Sequence, residues 1–122
     1  MRTKRQLQWG HINEHGKKLI ALFGLPSDTD PHALYYALHR LEARAHSYAE
    51  RACNEDLGDE AIEKHDASIL RSVKALLGDK VPIMLNGDPR GYALKIPNDW
   101  MAKNNADLHK DWGGYGIICP DF

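Results

Sequence analysis

The chain has 122 residues, 43% of them hydrophobic and 27% charged, with a formal net charge of −1. That makes a single domain with a modest core, and it excludes nucleic-acid binding driven by overall basicity while leaving room for a local patch. Two cysteines without metal-type spacing, Cys53 and Cys119, fit a reducing cytoplasm rather than a disulfide scaffold. No run reaches membrane-spanning length and no signal-type apolar stretch opens the chain.

Residues 1–12 begin Met-Arg-Thr-Lys-Arg and read as an N-terminal arm. His11 and His15 stand four apart, a helical metal spacing, but Gly16 follows and no third ligand is near, so surface histidines fit better. Lys17 to Phe23 is a short amphipathic segment ended by Gly24 and Pro26.

Ser27-Asp28-Thr29-Asp30-Pro31 announces a helix, cap candidates followed by proline at the first helical position. Leu34, Leu38, Leu41, Ala45, Tyr48 and Ala52 then recur at threes and fours, an apolar seam. Residues 54–58 break the pattern. A second helix starts near Asp59, with Ile62, Ile69, Leu70, Val73, Leu76 and Leu77 on one face and Gly78 as its stop. Residues 30–78 therefore form an antiparallel helical hairpin. His32, His39 and His46 recur at sevens, beside a stripe of Arg40, Arg44 and Arg51. A solvated polar face accounts for both sets; so does a surface that meets an anionic ligand or a second subunit.

Val81 to Pro97 alternates apolar and polar residues on either side of Gly87-Asp88-Pro89-Arg90-Gly91, the pattern of a β-hairpin with strands at 81–86 and 91–97. The insert holds the Arg90 guanidinium at the tip of a stiff loop, either as a solvent-facing turn residue or as an anion contact. Asn98 to Asp111 carries a weak helical signal around Trp100-Met101. A third strand is expected at 115–119, after Trp112-Gly113-Gly114-Tyr115-Gly116. That string is either a glycine bulge anchored by aromatics or a place where a ligand approaches bare backbone. It lacks the spacing of a dinucleotide fingerprint or P-loop. No G-x-S-x-G, H-E-x-x-H or C-x-x-C occurs, so no enzymatic activity and no cofactor are expected.

With the helical hairpin, the strings PIMLNGDPRGYALKI and DWGGYGII make residues 30–120 resemble a type of small phage-encoded protein. The pattern is similar to the phage anti-Thoeris sponge family, whose members bind cyclic ADP-ribose signals made by bacterial TIR-domain enzymes without cleaving them. The resemblance implies a pocket shared between subunits of a homodimer, with dimers assembling into hexamers as trimers of dimers. It also implies that some members hold cyclic oligonucleotides at separate arginine-lined sites, for which Arg90 is the candidate here. Lys110 and Asp111 match the basic-acidic pair before the glycine-rich end, with lysine where the family pattern has arginine. Ile83 or Met84 falls where an aromatic would stack on adenine.

The expected fold is α+β: an arm at 1–12, the helical hairpin at 30–78 and a small antiparallel sheet within 81–119. So small a sheet leaves apolar surface for a homo-oligomer to bury. The expected function is sequestration of a cyclic, nucleotide-derived small molecule in the host cytoplasm, with no membrane partner. Candidate ligand contacts are Ile83, Met84 and Asn86 on the first strand, Asp88 and Arg90 in the insert, and Lys110, Asp111 and Tyr115 near the end. The alternative is a protein–protein inhibitor or a nucleic-acid-associated phage accessory protein that uses the Arg/His helix face.

Overall fold

The computed structural model describes residues 3–88, 91–108 and 115–120. Three helices come first, α1 (Lys4–Phe23), α2 (Pro31–Asn54) and α3 (Asp59–Leu77). Strands β1 (Met84–Asp88) and β2 (Gly91–Ile96), a short helix α4 (Asn98–Lys103) and β3 (Gly116–Ile117) follow. The sheet is antiparallel in the order β1-β2-β3, so the fold is α+β with the sheet after the helices, as expected. No helix among the described residues is long and apolar enough to cross a membrane.

Residues 4–12 are not an arm but the first half of α1. A capping box starts that helix: Thr3 Oγ1 accepts from the Gln6 amide at 3.2 Å, and Gln6 Oε1 accepts from the Thr3 amide at 2.9 Å. Gly10 and Gly16 do not interrupt it. At Gly16 the start of α2 comes so close that a Cβ would lie 2.5 Å from Pro31 Cβ and 2.7 Å from its carbonyl oxygen. Gly24, at φ 67°, closes α1 in the left-handed conformation that glycine adopts at least cost.

The helical hairpin forms where the caps put it. Asp30 accepts from the His32 amide at 2.9 Å and the Ala33 amide at 3.4 Å, with Pro31 in the first turn. Gly78 closes α3. Both α1 and α3 pack on α2, and β2 lies against it as well. Leu34, Leu38, Leu41, Ala45 and Ala52 are thus covered within one chain, with Ile12, Leu19, Ile69, Val73, Leu77, Leu94 and Ile96. The apolar seam of α2 is covered within the chain by α1, α3 and β2.

Sheet boundaries shift from those expected. β1 begins at Met84 because Val81 and Ile83 pack against the core ahead of the strand; Val81 is 2% exposed. β1 runs on to Asp88, which pairs with Gly91, two residues beyond the expected end of the first strand. β3 is two residues long, Gly116–Ile117, because the chain then turns to dock on the helices. The Ile118 amide donates to the Leu94 carbonyl at 3.0 Å. His15 Nε2 donates to the Ile118 carbonyl at 2.6 Å, and the Tyr35 hydroxyl to the Pro120 carbonyl at 2.6 Å. His15 is thereby a buried tether and not the surface histidine expected from its spacing, because α1 packs it under residues 118–120.

Cys119, within this segment, is buried. Burial first, and the Glu42 carboxylate second, push its thiol well above the ordinary range. The folded chain therefore holds that proton to higher pH than the unfolded chain does. The associated stability is complete below the unfolded thiol value of about 8.5 and is lost as pH rises beyond it. Urea midpoints measured from pH 7 to pH 10 should fall more steeply for the native sequence than for Cys119→Val. Equal slopes would clear this thiol of the effect.

Candidate functional site

Two surfaces bring together residues of the expected chemistry. The first is the outer face of the sheet. Antiparallel pairing sets Met84 opposite Lys95, Asn86 opposite Ala93 and Asp88 opposite Gly91. Paired residues share a face and successive ones alternate. Lys95 also pairs with Ile117, which places Tyr115, two residues earlier, on the same side. Leu85, Leu94 and Ile96 occupy the inner side, where Leu94 and Ile96 are fully buried. Ile83 packs against the core and does not join Met84.

Lys95 is the residue that sequence reading left out of the site. It is only 6% exposed, and its Nζ lies 6.0 Å from the centroid of the Tyr115 ring, at cation–π range. Alternation along β2 did place it on the polar face; its burial depends on tertiary packing. Met84, Asn86 and Ala93 beside it are half-buried. Of the other expected contacts, Asp88 occupies a register position on β1. Arg90, Lys110, Asp111 and the Trp112–Gly114 string lie outside the described residues.

On the inner side, Glu42 of α2 reaches the sheet. Its Oε2 accepts from the Leu94 amide at 2.7 Å, in a carboxylate only 6% exposed.

The second surface lies between α2 and α3. Arg40, Arg44 and Arg51 line a groove of about 520 Å³ together with Ala43, Ser47, Tyr48 and His65. Tyr48 stacks on His65 with ring centroids 4.0 Å apart and planes parallel, and the Arg51 guanidinium carbon sits 5.3 Å from the Tyr48 centroid. Neighbouring Asp66 has its carboxyl raised above the ordinary range by burial, an effect that His65 partly offsets.

The histidine stripe beside these arginines is absorbed by local contacts. His32 is buried under Trp9, their rings stacked at 3.5 Å. His39 lies 3.7 Å from Glu42 Oε1, and His46 lies 2.9 Å from Glu50 Oε1. Among the described residues no group of three His, Cys, Asp or Glu side chains is placed to hold a metal ion. Compared with known proteins, the chain matches no protein-family model, no curated protein and no solved structure.

Proposed function

We propose that the protein binds a phosphorylated, nucleotide-derived signal on the outer face of its sheet and holds it without cleavage. One observation supports this reading above others: the register collects Met84, Asn86, Lys95 and Tyr115 on a single face. Each has a role that such a ligand calls for. The Lys95 ammonium neutralises phosphate, and Tyr115 with the Met84 thioether provides a flat, polarisable wall for a base. The Asn86 amide offers a donor and an acceptor to the base edge. The resemblance to the anti-Thoeris sponge family makes a cyclic ADP-ribose isomer the first ligand to try. In this reading the ligand lies between two copies of the chain, as an anti-defence sponge held in the host cytoplasm.

The test mixes purified protein with cyclic ADP-ribose isomers, removes free ligand, denatures the protein by heat and analyses what is released. Wild type is expected to return intact ligand at a stoichiometry near its number of pockets. Lys95→Met and Tyr115→Ala should return at least tenfold less while keeping a cooperative thermal transition. Opened product accumulating beyond one equivalent means an enzyme, and no recovered ligand removes the proposal. Light scattering on the same sample should give about twice the 13.8 kDa chain mass; a monomer would eliminate the shared pocket.

A further inference from the structure

We infer that the groove between α2 and α3 is a binding track for single-stranded nucleic acid, separate from the sheet face. The argument begins with how the arginines are strung. At about 100° per residue, Arg40, Arg44 and Arg51 fall within roughly 40° of one another around α2. At about 1.5 Å rise per residue they stand roughly 6 Å and then 10 Å apart along its axis. The three guanidiniums therefore form a row and do not converge on a point. One phosphate can engage two of them at most, whereas a phosphodiester chain laid along the helix meets all three.

The groove is shaped for such a chain. Its lining between the arginines in sequence, Ala43 and Ser47, is small and leaves room beside the cations. Its wall is the Tyr48–His65 ring stack, with the Arg51 guanidinium over Tyr48. Unpaired bases stack on surfaces of this kind, while a duplex keeps its base faces to itself. The row is also left open to a ligand. Elsewhere on these helices His46 meets Glu50 and Lys64 meets Glu60 one turn apart. Arg51 has only a loose contact of 3.8 Å with exposed Glu55, and Arg40 and Arg44 form no ion pair among the described residues. With a formal net charge of −1 the attraction has to come from local cations such as this row, and it must be strongly salt-dependent.

Anisotropy of a fluorescein-labelled thymidine 12-mer, titrated with the full chain, tests the inference. Three neutralised phosphates give a log–log salt slope of about −2, so affinity should drop roughly 20-fold between 50 and 200 mM salt. Arg40→Gln or Arg44→Gln should lower the slope to about −1.4 and weaken binding several-fold. Tyr48→Leu should weaken binding about tenfold with the slope unchanged, since stacking releases no counterions. Unlabelled 12-mer should compete, and thymidine monophosphate at equal total phosphate should not. The inference is overturned by absence of binding at 50 mM salt, or by unchanged affinity in both arginine variants. Displacement by the mononucleotide or by cyclic ADP-ribose would overturn it equally, because either places a small-anion pocket where the track should be.

Discussion

Gly16→Ala is expected to destabilise the protein by about 2 kcal/mol or more, while Gly10→Ala in the same helix stabilises it by about 0.5–1 kcal/mol. Both changes give α1 the better helix former, so propensity alone predicts two stabilised variants. The difference is what the new methyl group meets. At Gly10 nothing lies within 4 Å; at Gly16 the Pro31 Cβ, Cα and carbonyl oxygen lie at 2.5–2.8 Å. Backbone atoms at the start of a capped helix cannot step aside as a flexible side chain would, so α1 and α2 must separate. Overpacking of this kind typically costs about 1–3 kcal/mol and occasionally more, which outweighs the propensity gain. Thermal melts should separate the two variants by on the order of 10 °C, at about 4 °C per kcal/mol for a chain of this size. Two variants that melt together would mean that the close crossing of α1 and α2 is not what requires glycine.

Glu42→Ala is the second large effect, with an expected loss of about 3 kcal/mol. The buried Leu94 amide has the Glu42 carboxylate as its acceptor at 2.7 Å. Hydrogen bonds to charged groups are worth about 1.5–3 kcal/mol, and alanine leaves both an orphaned amide and a small cavity. Glu42→Gln keeps an oxygen in reach and should lose less than half as much. Hydrogen exchange at the Leu94 amide gives a local readout: protection should fall sharply in the alanine variant and mildly in the glutamine one. Glu42→Gln should also bring the Cys119 thiol partway back toward its ordinary range, because burial, the larger cause, persists. If Leu94 stays as protected in Glu42→Ala as in wild type, the carboxylate does not anchor the sheet to α2.

These two residues show which parts of the molecule a sequence can express. The hairpin of α2 and α3 is legible because its signals are local, a carboxylate-proline start at Asp30-Pro31 and a glycine stop at Gly78. α1 is illegible for the opposite reason. Its two glycines look like breaks until Pro31 is seen against Gly16, and Trp9 looks like a stray aromatic until His32 lies beneath it. The β-hairpin is recognisable by alternation, yet Val81 and Ile83 carried the apolar pattern past the true start of β1. For the candidate sites the division is similar. The spacing of Arg40, Arg44 and Arg51 announces one stripe, but His65, which turns that stripe into a groove, comes from another helix. Lys95 is placed on its face by alternation and given its environment by a neighbour twenty residues away, Tyr115.

The stitches that hold residues 118–120 have a consequence in time. His15 meets a partner 103 positions away and Tyr35 one 85 positions away. A ribosome makes the chain from its N-terminus, so the helices can form and collapse while the last strand is still unmade. Contacts of such sequence separation require closure of nearly the whole chain, which slows folding relative to the local pairing of helices. β3 and Tyr115 are therefore set after the helices, and a chain in which they have not yet docked carries the arginine groove without a finished sheet face. The two surfaces come into being in a fixed order, the helical one first.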